Sequence, residues 1–210
     1  MQSTAGITTL GLLITIGTSS VVAALVTTGV TWLRDQLRTK KDDKFSALYL
    51  ALTLEAYGAE CATFLSDAET WISSHEAAGE AHGNLPELPP WPSDIDWKAL
   101  GIDDTTRALT LAAAIASTRS YVSGLYEYDD EDAFLSFREK TAAMGKRALQ
   151  LAQELRFART LKPAEPASDW LVENYLDERT AEYAEIRRRD RERQAERKAE
   201  FGEEPGAADA

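Results

Sequence analysis

From Gln2 to Leu33 the chain carries no charged side chain, and five bases then follow within eleven positions: Arg34, Arg38, Lys40, Lys41 and Lys44. Few folds accommodate such a run. A helix that crosses a hydrocarbon core of ~30 Å needs ~20 largely apolar residues. The segment Ile7–Leu33 supplies 27, about 40 Å of helix at ~1.5 Å per residue, and tilt absorbs the excess. Nine of the 27 are Ser or Thr. Their hydroxyls can bond to carbonyls of the same helix, so they cost far less in lipid than a charge. Trp32 stands beside the basic cluster, where an interfacial ring belongs. Residues 1–33 therefore read as a transmembrane signal anchor. A cleaved signal peptide would instead place a basic region ahead of a shorter apolar stretch.

Basic residues flank the cytoplasmic end of a spanning helix. The expected topology is single-pass in the inner (plasma) membrane, with the N-terminus outside and the rest of the chain cytoplasmic. Arg34, Arg38, Lys40, Lys41 and Lys44 are also placed to meet anionic lipid headgroups. Within the segment, Gly17, Ser20, Ala24, Thr27, Thr28 and Thr31 fall within about a third of the helix circumference. Small residues on one face let helices approach closely in lipid, which makes this the candidate association face of a homo-oligomer. Other small residues lie off it, so a lone anchor is the competing reading.

The remaining length is about that of one ordinary domain. The net charge of −12 is unevenly spread. Residues 55–104 hold eleven acids against Lys98, and residues 140–162 hold six bases against Glu154. That asymmetry points to charge complementarity inside the molecule. The single cysteine, Cys61, excludes an internal disulfide and suits a reducing compartment. It sits in an apolar helical stretch and reads as a small buried residue.

Strand patterns are almost absent after the first segment, and the fold class is all-α: the transmembrane helix continues into a bundle of three to four long helices. Residues 34–162 form the bundle. Its first helix runs on from the membrane segment, with Phe45, Leu48, Tyr49, Leu52, Ala56 and Ala59 as its apolar face, extended by Phe64, Leu65, Trp71 and Ile72. A Pro/Trp-rich loop follows at 75–101, within which Ser93 to Asp96 resembles a capping box for a short helix over 94–100. Asp103 or Asp104 caps a second long helix faced by Ala108, Leu111, Ile115, Thr118, Val122 and Leu125. Asp129 and Asp130 cap a third, in which Phe134, Phe137, Thr141, Met144, Ala148, Leu151 and Leu155 keep an unbroken 3-4 spacing. Acids open that helix and bases close it, matching its dipole. Residues 163–201 carry a C-terminal helix capped by Ser168 and charged beyond 186, and 202–210 read as a disordered tail.

No phosphate loop, nucleophile elbow or zinc-protease motif is present. His75 and His82 are seven residues apart across Gly79, which fixes no metal site. The acidic run 127–132 lacks the spacing of a calcium loop. No catalytic, cofactor or metal residue is expected. The segment 187–200 has seven bases and four acids interleaved and no aromatic residue, which favours i,i+4 pairing over nucleic-acid binding. Trp91, held between Pro90 and Pro92, and Trp97 are the candidate partner contacts; the competing reading makes both rings a lid over the bundle. The function expected is a membrane-anchored helical scaffold, adaptor or regulatory protein that presents its bundle to a protein partner. An oligomerising or pore-forming membrane effector is the alternative, and an enzyme with an unrecognised helical site is third.

Overall fold

The computed structural model describes the backbone of residues 9–164 and 171–201, and the side chains of 41–164 and 171–199. Five helices account for the secondary structure of these residues: α1 (Thr9–Ser73), α2 (Trp97–Leu100), α3 (Ile102–Leu125), α4 (Asp130–Ala158) and α5 (Val172–Phe201). The fold is an all-helical bundle. Helix α4 is central and packs against α1, α3 and α5, while α2 bridges α1 and α3.

Helix α1 runs unbroken for 65 residues. The expected continuity between the uncharged segment and the first bundle helix is therefore present in the backbone. Its buried face differs from the expected one. Phe45, Tyr49, Leu52 and Ala56 are exposed, and Leu48 and Ala59 are half-buried. Of the expected extension Leu65 is buried, Phe64 and Trp71 are half-buried and Ile72 is exposed, and the buried seam is Ala47, Leu50, Ala51, Leu54, Tyr57, Gly58, Cys61, Ala62, Leu65 and Ala68. It has the same 3-4 periodicity, turned to the other side of the helix. The physical reason is close packing: Ala, Gly and Cys let α1 approach α4 where bulkier side chains would hold it off. Two glycines mark the crossing. A Cβ on Gly145 would lie 2.7 Å from the Cβ of Cys61 and 3.0 Å from Leu176 Cδ1. A Cβ on Gly58 would lie 2.6 Å from Leu149 Cδ2, 2.7 Å from its Cγ and 3.4 Å from the Gly145 carbonyl oxygen.

The faces expected on α3 and α4 are the inner ones, although Thr118 and Leu125 of α3 are only half-buried. Ala108, Leu111, Ile115 and Val122 are buried on α3. Phe137, Thr141, Met144, Ala148, Leu151 and Leu155 are buried on α4, and Phe134 packs against them. Asp129 caps α4 by accepting from Asp132 N at 2.9 Å. Two expected caps are corrected. Helix α2 is four residues long and is capped by Asp96, which accepts from Lys98 N and Ala99 N, rather than by Ser93. Helix α3 begins at Ile102 behind Gly101, so Asp103 and Asp104 stand in its first turn. Gly101, at φ +82°, ends α2 and starts α3, a conformation favouring glycine. The cap assigned to Ser168 lies outside the described residues.

Helix α5 is tied on by Leu176 and Tyr183, both buried, and by Arg187, which reaches Glu139 at 2.9 Å and Asp132 at 2.6 Å on α4. Beyond Arg187 its bases and acids pair along the helix itself: Arg188 with Glu185 and Glu192, Arg189 with Glu185, Arg193 with Asp190.

The crossing makes a contrast that can be measured. Gly145→Ala should lower stability by about 1–2 kcal/mol net of alanine's helix advantage, because the Cys61 Cβ cannot move without its backbone. Gly58→Ala should cost clearly less, because the half-buried Leu149 side chain can change rotamer without moving backbone. Urea midpoints of the two variants check this, and equal midpoints would refute the close-packed crossing.

Candidate functional site

The Pro/Trp loop is tied at three places. Asp96 N donates to Ser46 Oγ of α1 at 2.9 Å. Asn84 Nδ2 donates to Arg119 O at 3.1 Å and to Ser123 Oγ at 2.6 Å on α3, and Arg119 returns a bond to Leu85 O. His82 stacks on Phe64 with ring centres 3.8 Å apart and sits 3.3 Å from Asp67 and 3.7 Å from Glu80. Of the two histidines only His75 is exposed, in the left-handed turn that ends α1. The apolar face of an imidazole ring gains by burial against Phe64, while Asp67 and Glu80 face its nitrogens. Trp91 and Trp97 are brought together edge to face at 6.0 Å, both half-buried against the core. Between the loop and α3 runs a groove of about 520 Å³, lined by Leu88, Pro89, Trp91, Ala112, Ala116 and Arg119 among others. A second, of about 290 Å³, lies between α3 and α4 beside Arg107, Arg147 and Glu154.

Arg156 and Arg159 carry the charge complementarity read from the sequence, and Arg187 adds a third tie. Arg156 of α4, nearly buried, makes a two-pronged bond to Glu55 of α1 at 2.5 and 2.8 Å and donates to Lys162 O. Arg187 joins α5 to α4. Arg159 joins four segments: Asp43 of α1 at 3.1 Å, Asp104 of α3 at 2.5 Å and the Leu100 carbonyl at 3.0 Å, from the end of α4. Burial works against the charge of Arg159, and the two carboxylates more than offset it. Burial alone would raise Glu139 above its ordinary 4.5, but bonds from Arg187 and Lys140 hold it below. The Cys61 thiol is pushed up to about 12 by burial, and its hydrogen bond with Tyr57 opposes this only in part. It is a packing residue.

Of the basic collar, Lys41 and Lys44 are described, and both are exposed. Arg34, Arg38 and Lys40 lie outside the residues whose side chains are described, as does the proposed association face Gly17, Ser20, Ala24, Thr27, Thr28 and Thr31. Among the described residues no helix is long and apolar enough to cross a membrane; the side chains of the uncharged run lie outside them. No group of three or more potential metal ligands occurs among the described residues. The exposed stripe Phe45, Tyr49 and Leu52 on α1 is a surface that the sequence had assigned to the core. No family model, curated protein or solved structure matches this chain.

Two measurements test the arginine ties. Arg156→Leu leaves Glu55 half-buried without a partner and should cost about 3 kcal/mol, most of which the double replacement Arg156→Leu with Glu55→Leu recovers. An unrecovered double variant would mean the cost is packing alone. Because Glu139 is depressed in the fold, its contribution is complete above 4.5 and is lost as pH falls below it. Glu139→Gln should therefore flatten the acid limb of stability in thermal melts; an unchanged limb would place the acid sensitivity elsewhere.

Proposed function

We propose that this chain is a single-pass, membrane-anchored helical scaffold, adaptor or regulatory protein that holds its bundle at the cytoplasmic face of the inner membrane and presents it to a protein partner. The observation that carries this reading is the unbroken α1. One helix of about 98 Å at ~1.5 Å per residue contains both most of the uncharged run and the seam packed against α4. An anchor that is also a core helix cannot reorient without moving the bundle. The five bases from Arg34 to Lys44 supply the orientation. The groove beside Trp91 is where an apolar partner segment would lie, with Arg119 and Ser120 along its edge.

A second reading, an oligomerising membrane effector, is favoured by the exposed stripe Phe45, Tyr49 and Leu52. At 100° per residue this stripe lies within about 50° of the small-residue face between Gly17 and Thr31. A second copy of α1 would therefore meet both.

Alkaline carbonate should leave the full chain in the membrane, and protease added to intact cells should spare the bundle. Release by carbonate overturns the anchorage, and digestion from outside overturns the orientation. For the second reading, crosslinking in detergent should give a ladder that Ala24→Leu and Leu52→Glu each remove. A monomer band from the unaltered chain overturns it.

A further inference from the structure

Helix α5 runs antiparallel to α4. Glu173 meets Gln153 at 2.7 Å, Asp177 meets Lys146 at 2.8 Å, and Arg187 meets Asp132 in the first turn of α4. Residues 188–201 therefore continue past the start of α4, as about 21 Å of helix at ~1.5 Å per residue. None of 188–199 is buried, and their ion pairs stay within α5.

The inner half of α5 is docked mainly through polar contacts. Leu176 and Tyr183 are its only buried side chains among the described residues. Leu176 sits over the crossing of α1 and α4: its Cδ1 and the Cys61 Sγ lie 3.0 and 3.3 Å from where a Gly145 Cβ would stand. The guanidinium of Arg138 lies over two rings, 5.4 Å from the centre of Tyr183 and 4.9 Å from that of Phe134. Glu69 of α1 receives a hydrogen bond from Tyr175 and pairs with Arg179.

Polar satisfaction is poorest at this seam. Among the described residues, five side-chain atoms are buried without a hydrogen-bond partner. Three of the five, Glu69 Oε1, Arg138 Nε and Arg179 Nε, lie where α5 meets α1 and α4. Arg179 Nε and Glu69 Oε1 face each other at 3.1 Å as an ion pair, without the alignment of a hydrogen bond. A buried polar atom without a partner forfeits its hydration, and water restores it when the seam opens. Segments with few buried apolar contacts open at a lower free energy than the whole domain.

We infer that α5 is a releasable arm, which undocks from the seam between α1 and α4 while the rest of the bundle stays folded. The crossing of α1 and α4 survives the release, because Gly58, Cys61 and Gly145 close it without α5. Undocking uncovers a leucine-sized seat floored by Cys61 and Gly145, and it frees Glu69 and Arg138 for other contacts. The bundle thus has two surfaces to offer, one with the arm docked and one without it. This goes beyond the scaffold reading above and does not depend on the anchor.

Hydrogen exchange on the full chain in detergent, read by mass spectrometry and corrected for intrinsic rates, tests it. In the unaltered chain, residues 172–187 should exchange at least tenfold faster than 141–155 of α4. Sub-denaturing urea should hardly change the rate over 172–187, because undocking exposes little surface, and should steeply raise the rate over 141–155. Tyr183→Ala removes the largest buried side chain of the arm. It should speed exchange over 172–187 by a further tenfold or more and leave 47–68 and 141–155 within twofold. One common rate and urea slope for α5 and α4 overturns the inference. So does a Tyr183→Ala chain in which the three segments speed up together or 172–187 does not respond. Should that variant not fold, the urea slopes of the unaltered chain decide alone.

Discussion

The close crossing of α1 and α4 is the constraint on which the rest of the structure depends. At Gly58, Cys61 and Gly145 the two backbones approach as near as side chains allow, and a methyl group on Gly145 has nowhere to go. That approach defines which side of α1 is inside. It also makes α4 the helix to which α3 and α5 attach. Close packing of this kind gathers many small dispersion contacts, and it is intolerant of added volume in a way that a Leu-rich interface is not.

Around this crossing the arginines act as ties between elements far apart in sequence. Arg156 fixes the height of α4 against α1, Arg187 fixes α5 against α4, and Arg159 closes the end where four segments meet. Net stabilisation by such half-buried pairs is modest, but leaving one partner alone is costly. They therefore disfavour slipped arrangements of the same apolar faces. The surface pairs along the outer part of α5 serve a different end: they keep a helix with little apolar face soluble and straight.

Much of the bundle was legible in the sequence. The 3-4 spacing from Phe134 to Leu155 and from Ala108 to Val122 located the buried faces of α4 and α3, because large apolar residues there coincide with the core. The same rule misread α1. Phe45, Tyr49 and Leu52 are the conspicuous residues, yet the seam alternates Leu50, Leu54, Tyr57 and Leu65 with Ala, Gly and Cys, whose value lies in the volume they lack. The Trp pair is conspicuous in the sequence, but its packing is not visible there. It depends on Asn84, Arg119 and Ser46, residues from three parts of the chain with no local signature. His82 was likewise read by its sequence neighbours, whereas its environment is Phe64 and Asp67 on another turn of α1.

The sequence by itself determined the helical class, the order of the long helices, the single long connection and the uncharged run with its basic collar, because periodicity and charge are local properties. Tertiary structure decided which side of α1 is core, how the loop folds back on α3, and that Arg159 ties α1, α2, α3 and α4 at one end of the bundle. Those outcomes depend on how closely two helices can approach and on which distant charges they bring together, and neither is written in any one stretch of chain.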